Sequence, residues 1–354
     1  MTFTTNGLVC GHHHLYSSLA RGMPAPPQTP NSFISVLENV WWRLDAALDL
    51  DIIYWSAALG AAEALLNGTT AIIDHHESPF AIEGSLDAIQ SACDMVGVSS
   101  NLCYGVTDRW VGQSMQSHVA PSSKMSDEAR RGLAENDRFL KAGGRGMVGV
   151  HASFTCSDET LETAADLAKQ HNVGVHIHVA EGPDDIDAGI RLQNLAEDNW
   201  LIVHAVHLDQ QIKGTLAHNP RSNMNNSVGY ARPSRWAHDV ILGTDGIGAD
   251  MLEEMRLAYV RHREDDLTAS PDSAWSWLKN GEKFFPEVKR DVVTWSYDNA
   301  DSPWHVAFTP GIRCLSVVRD GTVLVEDGVP TQFDLNEIRT KAAEAARTLH
   351  ERLA

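Results

Sequence analysis

The sequence predicts an α/β chain organised as a (β/α)8 TIM barrel, followed by a reduced C-terminal β appendage. Three observations predict it. Short apolar runs ending in polar, often histidine-bearing residues recur between residues 7 and 250, stretches of helical spacing separate them, and there are eight such units.

The strand candidates cover residues 7–14, 69–77, 96–105, 146–154, 173–181, 200–208, 214–223 and 239–246. Between them, residues 48–66 and 158–170 are typical helix candidates. The second opens on Ser157-Asp158-Glu159 and carries Leu161, Ala164, Ala165 and Ala168 at helical spacing. The proline-rich run 24–30 reads as a loop after the first strand, at the rim of a barrel pocket. Residues 261–289 are mixed and resist assignment. Residues 291–298 and 315–328 read as strands, the latter a hairpin turning at Asp320-Gly321. Asp334 and Glu337 form a capping box ahead of a terminal helix with Leu335, Ile338, Ala342, Ala345 and Leu349 on one face. The expected units are a barrel over 1–290, a β appendage over 291–334 and a helix over 335–354.

Bulk properties narrow the function. A chain of 354 residues can bury a sizeable core, and 43% hydrophobic with 21% charged residues is the balance of an ordinary soluble protein. No apolar run is long enough to span a bilayer, and the first residues lack the pattern of a secretory signal, so a cytoplasmic location is expected. Five cysteines without a CxxC pair suggest reduced thiols rather than a disulfide framework or a thiolate metal site. A formal charge of -19 repels phosphate backbones and anionic lipid, so neither nucleic acid nor membrane is an expected partner; a small-molecule substrate is.

The chemistry-bearing residues cluster at strand ends. His12 and His14 are two apart, so on a strand both face one side while His13 faces the other. The alternative is a solvated histidine-rich loop. At the end of the fifth candidate strand, His178 and Glu181 fall on the carboxyl face, where barrel enzymes place their chemistry, and His176 lies deeper as a candidate core histidine. His204 and His207 follow the sixth candidate strand, and Asp245 sits in Gly243-Thr244-Asp245-Gly246 at the eighth, a pattern that could equally be a turn.

This ordered series resembles the amidohydrolase superfamily, in its cytosine-deaminase and chlorohydrolase-like branch. The segments VLENVWWRLD (36–45), GTTAIIDHHESP (68–79), HASFTCSDETL (151–161), HVAEGPDD (178–185) and AHNPRSNMNNSVGYA (217–231) are most similar to the SsnA-type aminohydrolases. The resemblance implies one divalent metal ion held by His12, His14, His178 and Asp245, zinc first and iron as the alternative. It further implies that the ion activates water, that Asp245 and Glu181 handle its protons, and that His204 polarises the substrate. His151 and, after the second strand, His75 or His76, with His76 the candidate carried forward, are expected to bind substrate. Arg21 pairs either with a substrate carboxylate or in an internal ion pair. The implied reaction replaces an amino group on a small nitrogen heterocycle. Opening a cyclic amide or displacing chloride at the same site is the alternative, and a catalytically silent metal-binding scaffold is the alternative of another kind.

The sequence departs from that family in two places. Members normally begin with several dozen more residues, whose strands complete a sandwich with the C-terminal ones. The strands over 291–328 are therefore expected to leave an edge unpaired, covered by a shortened appendage or by the subunit contact of a homo-oligomer, or else the chain is part of a longer one. Residues 261–292 are also compressed, with Phe284-Phe285-Pro286-Glu287-Val288-Lys289 where a glycine-rich approach is usual.

Overall fold

Each of the eight strand candidates contains a parallel strand in the computed structural model, which describes residues 3–354. In chain order the strands are β1 (Phe3–Thr5), β2 (Leu8–His14), β3 (Thr69–His76) and β4 (Ser99–Tyr104), then a small hairpin of β5 (Trp110–Val111) and β6 (Ser114–Met115). They continue as β7 (Val148–Ala152), β8 (Val175–Val179), β9 (Leu201–His204) and β10 (Thr215–His218). The eighth candidate is broken into β11 (Val240–Leu242) and β12 (Asp245–Gly246). Two parallel sheets result, β12-β2-β3-β4 and β11-β10-β9-β8-β7. Their edges approach at isolated parallel bridges, Leu102 with Gly146 and Val106 with Val150, and at the broken strand, where β11 pairs with β10 and β12 with β2. The arrangement is barrel-like.

Small and branched residues from alternate strand positions fill the interior near the strand starts: Val9, Ala71, Ile73, Leu201, Val203 and Ile241, with Phe285 and Val288. The compressed segment thus has a physical role, because Phe285 is fully buried and plugs the amino end of the strands. Polar chemistry is left to the opposite end.

The helices are α1 (Phe33–Val36), α2 (Trp42–Ala47), α3 (Leu50–Leu66), α4 (Ser85–Val96), α5 (Asp127–Lys141) and α6 (Asp158–His171), then α7 (Ala188–Leu192), α8 (Pro220–Asn225), α9 (Met251–Asp265), α10 (Pro271–Asn280), α11 (Pro303–Phe308) and α12 (Leu335–Leu353). Short polar side chains start the long ones: Asp49 accepts from Ile52 N, Ser126 from Ala129 N, Ser157 from Thr160 N and Asp334 from Glu337 N. Each such cap contributes about 1 kcal/mol. Helix α3 is apolar nearly all round because α4 and α12 both pack on it, α12 through Ile338, Ala342, Ala345 and Leu349. The stretch that resisted assignment holds the end of α9 and all of α10. Met251, Leu252, Met255, Ala258, Tyr259 and His262 form a helical stripe, masked in the sequence by the charges between them. Among the described residues no helix is long and apolar enough to cross a membrane.

The edge expected to lie unpaired beside the first C-terminal strand is covered by a short N-terminal one. Strands β13 (Val292–Trp295), β14 (Cys314–Arg319), β15 (Thr322–Glu326) and β16 (Val329–Pro330) form an antiparallel sheet, and β1 joins it against β13. Trp295 Nε1 donates to Thr5 Oγ1 at 2.8 Å. A three-residue strand is too short to show a period, so sequence reading passed over it. The hairpin between β14 and β15 turns at Asp320-Gly321, with φ of 46° and 81°, the left-handed pair that a tight two-residue turn requires.

Candidate metal centre and pocket

Strand alternation sends His12 and His14 of β2 into the interior, while His13 turns away to Thr244 Oγ1 at 2.7 Å. His178 reaches the same space from β8, His204 from the end of β9 and Asp245 from the start of β12. Two of these positions are held in left-handed backbone unusual for non-glycine residues, His204 at φ 69° and Asp245 at φ 58°, as are the neighbouring Ala180 at 46° and Ala205 at 50°. Each costs on the order of 1 kcal/mol, and such strain gathers where side chains must be aimed.

The aim is tight. Asp245 Oδ1 lies 3.1 Å from His12 Nε2 and 3.0 Å from His14 Nε2, and His14 Nε2 lies 3.2 Å from His178 Nε2. Ligand atoms of His12, His178, His204 and Asp245 all fall within 4.8 Å of one another, as do those of His14, His75 and His178. Donors on one tetrahedral ion with bonds of ~2.0–2.1 Å stand roughly 3.3–3.4 Å apart. The spacing is therefore close to what a shared cation demands.

Proton placement points the same way. His14 Nδ1 donates to the His75 carbonyl at 2.6 Å, His178 Nδ1 to the His151 carbonyl at 2.8 Å, and His204 Nδ1 to Asn223 Oδ1 at 2.7 Å. With Nδ1 committed to these acceptors, each Nε2 is the nitrogen that faces the centre. Burial pushes His178 down to about 3 and His12 well below its usual range, so both rings stay neutral near pH 7. Burial opposes ionisation of Asp245, yet the His12 and His14 rings beside it hold its carboxyl well below the ordinary range, and Asp245 in turn, against burial, raises His14 to about 9. Imidazole nitrogens and one carboxylate converging at this spacing are a donor set that a divalent cation fits, and such an ion would displace the proton held between His14 and Asp245.

Other residues fix this geometry. Ser222 donates to Asp245 Oδ2. Arg221 grips the backbone on both sides of Asp245, Nη2 donating to Thr244 O at 2.8 Å and Gly246 O at 2.9 Å, while its Nε meets the buried Glu254 at 2.9 Å. Glu181 places Oε2 3.3 Å from His204 Nε2 and accepts from Asn226 at 3.3 Å, and burial raises its carboxyl to about 7. Its loop is tied down by Asp185, which accepts from Ala180 N at 2.8 Å and Phe154 N at 3.0 Å.

The centre opens into a pocket of about 950 Å³, mouth included, walled by Trp41, Trp42, Phe154, Asp45, Glu77 and His151 among others. His151 lines it, with Nδ1 2.8 Å from Thr155 Oγ1. Two expected substrate contacts are absent from its lining. His76 is fully buried with Nε2 2.8 Å from Ser78 Oγ, packed beside Tyr16 and Tyr104. Its neighbour His75 is the inward residue, its ring 4.6 Å from that of His178, because adjacent strand positions face opposite sides. Arg21 instead forms a surface pair, Nη2 at 2.9 Å from each Glu63 oxygen. Arg21→Ala is accordingly expected to change kcat/KM less than two-fold and stability by at most ~1 kcal/mol in steady-state kinetics and urea unfolding. A large loss of kcat/KM would return Arg21 to the site.

Sequence reading missed a buried ion cluster on the pocket wall. Arg109 Nη2 lies 2.9 Å from Asp45 Oδ2 and 2.5 Å from Glu77 Oε1, and its guanidinium stands 4.6 Å from the Trp42 ring centre. Asp45 and Glu77 fall within resembling segments and carried that signal unread. Arg109 is an isolated cation in sequence and carried none.

Comparison with known proteins places this geometry. The pattern of the amidohydrolase family matches residues 3–276. The chain is 29% identical to a 5'-deoxyadenosine deaminase of Methanococcus vannielii over 96% of its own length and 86% of the relative's. It is 28% identical to a 5-methylthioadenosine/S-adenosylhomocysteine deaminase of Syntrophomonas wolfei, over 97% and 86%. Among solved structures, an adenosine deaminase from Xanthomonas campestris with bound zinc superposes with a TM-score of 0.80 at 18% identity, over 99% of this chain and 86% of that one. An atrazine chlorohydrolase from Arthrobacter aurescens complexed with zinc gives 0.76 at 20%, over 98% and 88%. The chain belongs to the amidohydrolase family and is a metal-dependent hydrolase of carbon–nitrogen bonds.

Proposed function

We propose that the chain is a zinc-dependent aminohydrolase that replaces the ring amino group of an adenosine-type nucleoside by oxygen, with iron the alternative metal. The observation that carries this reading is the histidine–carboxylate centre with the Glu181–His204 pair at its edge. His12, His14, His178 and Asp245 would hold the ion, which when bound supplies Lewis acidity and an activated water near neutral pH.

The chain's own residues supply the rest. Asp245, oriented by Ser222, takes the proton of the attacking water. Glu181, raised to about 7 by burial, can take up a proton near neutral pH and deliver it to a ring nitrogen and then to the departing amine. His204, with Nδ1 committed to Asn223, faces the same proton through Nε2 and polarises the reacting carbon's substituent. His151 contacts the bound substrate. One feature supports the nucleoside: flat aromatic walls at Trp41 and Phe154. The deaminase relatives act, by their names, on adenosine derivatives.

Purified protein is expected to carry about one divalent ion per chain by elemental analysis. It should release ammonia from adenine nucleosides, lose activity to a chelator and regain it with zinc. Chloride from a chlorotriazine or a ring-opened acid from a cyclic amide, in place of ammonia, would reassign the reaction. No turnover by fully metal-loaded protein across the whole panel would favour the silent scaffold.

A further inference from the structure

His176, on the same face of β8 as His178 but deeper, has the sequence profile of a core histidine. Its contacts are of another kind. Its Nε2 lies 2.8 Å from His12 Nδ1, and its Nδ1 lies 3.4 Å from Sγ of the buried Cys103 on β4. Cys103 Sγ in turn stands 3.5 Å from the Asp74 carbonyl.

The direction of this chain is set by the ligand reading of His12, which requires Nε2 without its proton and therefore Nδ1–H. The Asp74 carbonyl gives Cys103 an acceptor for its S–H, which leaves the sulfur to accept from His176 Nδ1–H. His176 Nε2 is then a lone pair that accepts Nδ1–H from His12. His12 Nε2 is thereby left unprotonated, facing Asp245 Oδ1 at 3.1 Å. The reverse order would put a proton on His12 Nε2 and remove it as a ligand. His14, His178 and His204 are fixed by oxygen acceptors on backbone or amide. His12 depends instead on a second imidazole, which depends on a thiol.

We propose that Cys103 and His176 act as a positioning pair, setting the tautomer and ring orientation of His12 and thereby the affinity of the centre for its metal. The inference rests on His12 being a ligand, as proposed above. Outer partners of this sort typically tune metal affinity by roughly 10- to 100-fold.

The test is a zinc dissociation constant measured by competition with a chromophoric chelator, beside the thermal midpoint of the metal-free protein. His176→Phe keeps an aromatic ring of similar size without an acceptor and is expected to weaken zinc binding roughly 10- to 100-fold. His176→Gln restores a carbonyl acceptor for His12 and should recover most of that loss. Cys103→Ser, which keeps an acceptor, should bind zinc more tightly than Cys103→Ala. This second pair decides the matter if His176→Phe does not fold. Unchanged zinc affinity with a lowered midpoint in His176→Phe, or a His176→Gln variant no better than Phe, would overturn the proposal and leave His176 as packing. His12→Ala that still binds one ion with native affinity would instead overturn the ligand reading beneath it.

Discussion

Arg109→Met is expected to destabilise the fold by about 3–5 kcal/mol, the largest stability effect of any single substitution considered for this chain. Arg109 is fully buried, and the side chains it faces, Asp45 and Glu77, are 2% and 3% exposed. Burial already pushes the Asp45 carboxyl well above its ordinary range and raises Glu77, with Arg109 the main opposing charge on Glu77. Removing the guanidinium leaves two acids facing each other in a low-dielectric wall and strips Trp42 of its cation. Equilibrium urea unfolding reads the loss directly. Adding Asp45→Asn and Glu77→Gln should return most of it, since the deficit comes from unpaired charge rather than lost volume. A loss below 1 kcal/mol in the single variant would mean that water reaches the cluster and shares the charge.

Glu181→Gln is expected to lower kcat by about 10²- to 10⁴-fold, with metal content unchanged and KM within a few-fold. The amide preserves the volume and the contact to Asn226 but can no longer carry a proton between Oε2 and the substrate. Steady-state ammonia release and elemental analysis on the same preparation separate a lost proton carrier from a lost ion. Full activity in this variant would remove Glu181 from the mechanism.

Much of the architecture was legible because barrel strands and metal donors share one signal, a short apolar run ending in histidine or aspartate. The His12/His14 spacing already demanded a common face, and the structure has them on one. What escaped reading did so for identifiable reasons. Two adjacent histidines, His75 and His76, differ only by strand parity, which shifts with one residue of register. The stripe of α9 is interrupted by charged residues, Glu253 and Arg263 exposed and Glu254 buried against Arg221. Arg109 meets Asp45 across 64 residues of sequence, and Cys103 meets His176 across 73, so neither pairing leaves a local pattern. Resemblance to a family supplied roles for residues in motifs and was silent on those outside them.

The pairing of β1 with β13 bears on how the chain is made. Thr5 and Trp295 are 290 residues apart, yet they are neighbours in one sheet. At roughly 5–20 residues per second, the ribosome needs about 15–60 s after emitting the first of these strands to complete the second. Throughout that interval β1 has no native partner, and an unpaired strand invites the wrong one. Its brevity, three residues with alternating exposure, limits how firmly a stranger could hold it. The sheet is therefore among the last features that a nascent chain can complete, and errors of assembly should concentrate there rather than in the barrel-like core.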